Sequence, residues 1–405
     1  MTRSSWLAFV GMVIFTMGTS IVTPLFPLYK QEFALSNGTI TLLFATYTAM
    51  VVPTMLIAGN LSDRLGRKWL ILPGMAVLTT ASLVFGFTTS LPALFAGRVL
   101  QGIAIGMFLG VGTAFVVDHA GPEKKAVAAQ IAGMGFRLGF GLGPGLAGIL
   151  AQYASDPMHR PFQLHALIMV VGIVAILLAP ETITRNRSAA FRIRVGVPPD
   201  QRRGFFTFVA PAAFLMSFLD GMLLALVPLY LVETLGMTNL AVVGLVGFLI
   251  LGAGGFSPLF ARRMDPRRAI LWGVALSATG SLLVILASGL DAVALVVIAA
   301  GLIGYTNGLI LQGATTIASV IVPIEERGKL VSLLYMCAYS GTVPTVALGY
   351  LSRGIGLTAT MAVASAVAGL IALFVITVGR TNLPKVIPYP VEVKPREASA
   401  PNRTT

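Results

Sequence analysis

Apolar residues run along this chain in long unbroken stretches, and polar residues collect in short links between them. The first stretch, Trp6 to Leu28, is long enough at about 1.5 Å per residue to cross a hydrocarbon layer about 30 Å thick. Stretches of similar length recur, and the pattern predicts twelve: 6–28, 40–61, 70–88, 91–118, 127–151, 163–180, 205–232, 240–261, 269–288, 290–321, 329–350 and 355–379. Barrel strands alternate polar and apolar residues over about 10 positions, and these runs do not, so helices are expected throughout. The predicted fold is all-α and integral to a membrane.

Composition strengthens that reading. Of 405 residues, 56% are hydrophobic and only 11% charged, and the mean hydropathy is +0.88. A soluble protein of this size needs a wetter surface. The lone cysteine, Cys337, excludes an internal disulfide and a cysteine metal cluster, and it is expected to pack within a helix. The first stretch exceeds a signal-peptide core and further spans follow, so it reads as a retained helix.

Charge then orients the spans. Of the 28 Lys and Arg residues, 23 fall on the side of the N-terminus. Three, Lys30, Arg160 and Arg353, fall on the other side, and Arg98 and Arg137 lie within spans. Basic links mark the cytoplasmic side, so both termini are expected there, in a multi-pass protein of the cell inner membrane. The net charge of +13 is thereby a topology signal. Nucleic-acid binding would need a soluble basic face, and none is expected.

The chain also repeats itself. Pro27, Leu28, Tyr29 and Glu32 match Pro228, Leu229, Tyr230 and Glu233 at an offset of 201. Pro122 matches Pro323 at the same offset, and Pro144 matches Pro344 at 200. Similar oiliness explains shared Leu and Val but not an ordered series of polar and proline landmarks. Two pseudo-symmetric six-helix bundles are therefore expected, 1–180 and 205–380. A basic, proline-bearing cytoplasmic linker, 181–204, joins them, and a disordered polar tail, 381–405, follows. Parallel repeats place a substrate site between the halves, near the bilayer midplane.

Four motifs fall in order along this frame: "GNLSDRLGRK" (Gly59 to Lys68), "RVLQGIAIG" (Arg98 to Gly106), "GFGLGPGLAG" (Gly139 to Gly148) and "TSIVTPLFPLY" at the end of the first span. Together they resemble the major facilitator superfamily, and within it the twelve-span drug:proton antiporters. The resemblance covers nearly all of 6–379. It departs from the pattern at Ala147, where glycine is usual, and in the first span, which lacks the acid that some multidrug carriers place there.

The resemblance implies a conformational latch at Gly59, Asp63, Arg64, Gly66, Arg67 and Lys68. Asp63 would face the start of the eleventh helix near Gly328, where a helix N-terminus stabilises an acid. Arg67 would pair with Asp118. Such contacts would bridge the halves when the protein faces outward and break when it opens inward. The competing reading is a positively charged topology anchor. The resemblance also implies that Gly139, Gly143, Pro144 and Gly148 form the antiporter motif, packing the fifth helix on the eighth. Small residues allow that approach, and Gly252, Gly254 and Gly255 are candidates for the facing surface.

A charge at membrane depth costs at least about 2.5 kcal/mol, so each such residue is a candidate for function. Asp220 can gain and lose a proton, whereas arginine does not in practice. Asp220, Arg98, Arg137 and Glu32 are the proton-coupling candidates. The alternatives are ion pairing for Asp220 and Arg137, snorkelling for Arg98 and an interfacial place for Glu32. His165 is expected at the outer rim. Gln101, Phe140, Phe218, Tyr305, Asn307, Gln312 and Tyr335 are substrate-cavity candidates, with Phe15, Phe26, Tyr47, Phe108 and Met336 behind them. Aromatic and methionine side chains suit loosely specified apolar ligands.

The expected function is secondary active transport: proton-coupled export of hydrophobic or amphipathic small molecules, such as drugs, by alternating access. The alternative is export of an endogenous metabolite, sugar or lipid on the same fold. An enzyme would need a catalytic cluster, and three histidines without a metal motif do not provide one. An ATP-driven pump would need a phosphate-binding loop, which is missing from the sequence. A non-transporting sensor would lack gradient-dependent flux. No cofactor or metal is expected, with the proton gradient as energy source. The expected partners are a small-molecule substrate, protons and the lipid bilayer, and the chain is expected to act as a monomer.

Overall fold

The structure is a computed structural model and describes residues 1–183, 195–261, 264–322 and 327–382, the side chains of Asn60, Asp63, Phe260 and Ser288 excepted. Among the described residues it is entirely helical. Ten helices follow in order: α1 (Arg3–Glu32), α2 (Asn37–Leu65), α3 (Lys68–Gly86), α4 (Leu91–Asp118), α5 (Pro122–Tyr153), α6 (Arg160–Leu178), α7 (Pro199–Thr234), α8 (Leu240–Leu259), α9 (Pro266–Leu290) and α10 (Val293–Val320). One further helical run, Arg327–Thr381, folds back at Gly356, whose φ of 81° and ψ of 165° break the helix. It therefore supplies two spans, α11 (327–355) and α12 (357–381), and the count reaches twelve. The chain is a multi-pass membrane protein. We call the side of Arg3 and Arg380 the near face and the other the far face.

Local sequence sets the ends. Ser36 caps α2, its hydroxyl accepting from the Thr39 amide at 3.1 Å, and Asp265 caps α9 by accepting from the Arg267 and Arg268 amides. Between α2 and α3 the chain turns at Gly66, φ 102°, a conformation that a Cβ would strain. α7 begins at Pro199 rather than 205, because Pro199 opens a helical turn that the basic composition of 181–204 hides. The rest of that linker, 184–194, lies outside the described residues, as do Pro323 and the tail from 383.

Packing puts small residues where backbones meet. A methyl group on Gly148 of α5 would lie 2.6 Å from Gly244 Cα of α8, and one on Gly141 would lie 2.8 Å from Gly252 Cα. No side chain fits in either place, so α5 and α8 touch along their backbones and form one seam between the halves. Gly139 and Gly143 face α1 instead, against Thr16 and Met17. The facing glycines on α8 are Gly244, Gly247 and Gly252. Gly254 meets Arg137 and α10, and Gly255 meets α5 at Met134 and Leu138. The second seam joins α2 and α11, where Gly349 abuts Thr41. Lipid-facing positions carry exposed Leu and Val, as on α6 at Leu167, Val170 and Val174. All three Trp residues are more than half exposed or at half, and all sit within two turns of a near-face helix end: Trp6 on α1, Trp69 on α3 and Trp272 on α9. Amphipathic rings prefer that level, where hydrocarbon gives way to headgroups.

Candidate functional site

A cavity of about 530 Å³ lies between the halves, walled by α1, α2, α4 and α5 on one side and by α7, α8, α10 and α11 on the other. Its deep end is buried, at Thr19, Ser20 and Thr23 of α1. Toward the near face its walls include exposed Gly110, Ala129 and Gly133. The mouth therefore faces the side of Arg3.

The far face is tied shut. Lys30 Nζ at the end of α1 lies 2.6 and 2.7 Å from the two carboxylate oxygens of Glu233 at the end of α7. Asn37 Nδ2 donates to Ser352 Oγ at 2.9 Å, joining α2 to α11. The Leu240 amide donates to Gln152 Oε1 at 2.7 Å, joining α8 to α5. Tyr29 and Tyr230, the repeat-related pair, are fully buried at the same ends of α1 and α7. Nearer the middle, Thr342 Oγ1 donates to Thr48 Oγ1 at 3.0 Å.

Asp220 of α7 stands in the cavity wall. Asn307 of α10 donates its side-chain amide to Asp220 Oδ1 at 2.6 Å. The backbone carbonyl of Asn307 accepts from Arg137 Nη2 of α5 at 3.2 Å. One buried asparagine thus joins the carboxylate of one half to the guanidinium of the other. Gln312, one and a half turns along α10, lines the same wall, and its buried Oε1 lacks a protein donor, leaving it an acceptor for water or ligand.

Arg98 is 1% exposed and differently held. Its Nε donates to Leu43 O at 3.0 Å, Nη2 to Phe44 O at 3.2 Å and Nη1 to Gln101 Oε1 at 3.0 Å. Its guanidinium carbon sits 4.6 Å from the Tyr47 ring centre, a cation–π contact. Gln101 in turn donates to Gly18 O at 3.0 Å. Arg98 therefore binds α4 to α2, and through Gln101 to α1. It reaches inward to these carbonyls and does not snorkel to an interface.

Of the residues expected at a cavity, Tyr47, Phe140, Gln312 and Tyr335 line it, as do Asp220, Arg98 and Arg137. Asn307 supports Asp220 from behind. Glu32 does not belong to the site: it is exposed at the far end of α1, nine residues past Thr23, because α1 runs on as helix beyond the cavity floor. Phe218 turns away to stack near Phe214, since helical rotation gives the wall to Ser217 and Asp220. Tyr305 lies one turn farther from the mouth than Gly308 and off the wall. Gln101 is consumed by its bonds to Arg98 and Gly18. Phe15 and Phe108 stack on each other at 3.9 Å, Phe26 is core, and Met336 is off the wall. His165 is no rim residue. It is buried, with Ser82 Oγ at 2.8 Å and Ile14 O at 3.1 Å. Phe136 and Tyr339 also line the cavity and were not among the candidates, although each sits four residues from one that was, Phe140 and Tyr335.

Among the described residues, the Gly59–Lys68 turn makes the following contacts within its own half. Arg67 Nε lies 3.2 Å from Asp118 Oδ2 at the end of α4. Glu181, after α6, accepts from the Arg67 and Lys68 amides at 3.0 and 2.9 Å, capping α3 with a carboxylate where the helix dipole favours one. Lys68 Nζ donates to Ala179 O at 2.7 Å. Gly59 has open space where a Cβ would go, so close helix approach does not explain it. Arg64 is half-buried on the last turn of α2. The side chain of Asp63 lies outside the described residues.

Twelve apolar helices around a mostly apolar cleft that carries a few charged side chains, tied at one face and open at the other, define a membrane transporter and not an enzyme. The chain belongs to the Major Facilitator Superfamily, whose family model matches residues 8–345. It is similar to Multidrug resistance protein 2 of Bacillus subtilis (strain 168), 24% identical over 169 residues, which is 42% of this chain and 42% of that protein. It is also similar to Quinolone resistance protein NorA of Staphylococcus aureus, 24% identical over 177 residues, 44% of this chain and 46% of that one. The chain spans less than half the length of these relatives. In fold it resembles a crystal structure of a mutant peptide transporter POT in complex with alafosfalin, with a TM-score of 0.74, 14% identity and 94% of each chain covered.

Proposed function

We propose that this protein exports hydrophobic or amphipathic small molecules in exchange for protons, by alternating access, with both ends of the chain in the cytoplasm. The single observation that carries the reading is Asp220. It is the one carboxylate among the described residues of the cavity wall, and it is tied through Asn307 to Arg137 across the two halves. A carboxyl there can take a proton from one side and release it to the other as the halves rock. The charge asymmetry of the links supports the orientation, and the open mouth is then the cytoplasmic one. A cavity near 530 Å³ falls in the range of about 300–1,000 Å³ that suits drug-sized ligands. The relatives named for multidrug and quinolone resistance agree with such a cargo. Nine Ser and Thr residues in the wall favour a second reading, export of a hydroxylated metabolite or sugar.

The test is transport in reconstituted vesicles with an imposed pH gradient, using dyes, antibiotics and sugars, read by a pH-sensitive fluorophore. Substrates should dissipate the gradient through the wild-type protein. Asp220→Asn, which keeps a partner for Asn307, should abolish proton-coupled flux while the protein remains folded in the membrane. Undiminished flux in that variant would remove Asp220 from the mechanism.

A further inference from the structure

The cavity is richer in positive charge than its single acid suggests. Among the described residues of its wall, the charged ones are Arg98, Arg137 and Asp220, a net of +1 with the carboxylate ionised. The two arginines are not equivalent. Arg98 has all three of its nitrogens engaged by Leu43, Phe44 and Gln101. Arg137 engages one, Nη2, on the Asn307 carbonyl, and a guanidinium carries five N–H groups. Among the described residues Asp220 and Arg137 form no direct ion pair, and each bonds to Asn307 instead. Arg137 thus keeps a charged, donor-rich edge on the cavity wall without a carboxylate to fill it.

Its surroundings describe the rest of a ligand. Arg137 sits on α5 between Phe136 and Phe140, whose rings lie 5.1 Å apart, centre to centre, and both line the cavity. Tyr335 of α11 also lines it. An aromatic shelf beside a guanidinium suits a flat apolar body that ends in an anion. A cation would add to a wall already positive, and its one counter-charge, Asp220, is already accepting from Asn307.

We propose that the cavity selects an amphipathic molecule bearing one carboxylate, held by Arg137 with its apolar body against Phe136 and Phe140. Planar donors matched to a planar carboxylate can bind it through two parallel hydrogen bonds, which an ammonium or a neutral amide cannot accept in the same way. This rests on reading the cavity as the substrate site, and it names the chemical class that site takes.

The test uses three ligands of one shape and different charge: tritiated 1-naphthylacetate, 1-naphthylacetamide and 1-naphthylmethylammonium. Binding to the full-length protein in lipid nanodiscs is measured with no gradient, by scintillation proximity. The carboxylate should bind at least tenfold tighter than either of the others. Arg137→Gln should bring the carboxylate to within about threefold of the amide, and Arg137→Lys should retain part of the preference. Tightest binding of the ammonium, equal binding of all three, no binding of any, or an unchanged preference in Arg137→Gln would each overturn the proposal. Because no gradient is used, the outcome is separate from that of the vesicle assay. Carboxylate preference without proton flux would refute antiport and leave this inference standing. Proton-coupled flux of cations or neutral compounds without carboxylate preference would do the reverse.

Discussion

The Lys30–Glu233 pair is the most direct handle on the conformational balance. It joins the last turn of α1 to the last turn of α7 on the closed face, so it exists only while that face is closed. The side chains are 24% and 33% exposed, and Nζ contacts both carboxylate oxygens at 2.6 and 2.7 Å. Exposed pairs contribute about 0.2–1 kcal/mol, and this one, partly shielded and doubly bonded, belongs at the top of that range. Removing about 1 kcal/mol from one state shifts a two-state ratio by about fivefold. Glu233→Gln or Lys30→Gln should therefore raise the population open at the far face about fivefold, and the double variant should add little, since both singles break the same link.

Spin labels at exposed Thr89 and Thr238, in a Cys337→Ser background, report the separation of the halves at that face by pulsed electron paramagnetic resonance. The longer distance should gain population in each single variant. The charge-reversed pair, Lys30→Glu with Glu233→Lys, should restore the wild-type distribution, and high salt should erode the wild-type advantage. Unchanged distributions in the singles, or a reversal that fails to restore, would show that the apolar layer at Tyr29 and Tyr230 holds the face by itself.

Three further outcomes follow from the packing. Gly148→Leu should force α5 from α8 where no space exists and destabilise the protein by about 1–3 kcal/mol, so an unchanged melting temperature in detergent would refute the backbone seam. Glu181→Gln should weaken the cap on α3 by about 1 kcal/mol, seen as roughly fivefold faster hydrogen exchange at the Arg67 and Lys68 amides. His159, in the far-face turn before α6, loses some proton affinity to burial, but the Thr88 carbonyl at 2.9 Å and Asp156 at 2.8 Å outweigh that and raise its pKa. A raised pKa contributes stability that is full below the ordinary value of about 6.5 and is lost as the pH rises through the folded value. The wild-type advantage over His159→Gln should therefore shrink from about pH 6.5 upward, and a difference that stays flat with pH would count against it.

The helical spans and their number were legible because each stretch must satisfy a bilayer over its whole length, a constraint written residue by residue. That a turn divides the last helical run was legible for the same reason, since the apolar pattern carries two spans where helical length alone offers one, but the break falls at Gly356, inside the expected span 355–379. The cavity was less legible. A pattern that marks a residue as apolar does not say whether it faces lipid, a neighbouring helix or the cleft, so Phe15, Phe218 and Tyr47 look alike in sequence and part company only in three dimensions. Polar residues within spans had to face inward, yet that rule does not separate Gln101, spent on Arg98, from Gln312, which faces the cavity. Glu181 was invisible because its role needs two elements that meet only on folding, the end of α6 and the start of α3.

What separates the site from the scaffold is where the internal repeat fails. At the offset of 201, Tyr29 answers to Tyr230 and Pro27 to Pro228, and these pairs occupy equivalent ends of α1 and α7. At the same offset Asp220 answers to Thr19, and both line the cavity. Arg98 answers to Ala299, and Asn307 to Gly106. Arg137, at 200, answers to Cys337. A charge at membrane depth costs at least about 2.5 kcal/mol, so symmetry gives no reason to keep it twice. Duplicated positions do what both halves need, turning a helix or sealing an end. Opposite charges have to stand on different halves for a movement between those halves to change their interaction. Asp220 on α7 and Arg137 on α5 meet that condition, with Asn307 as the one bonded path between them.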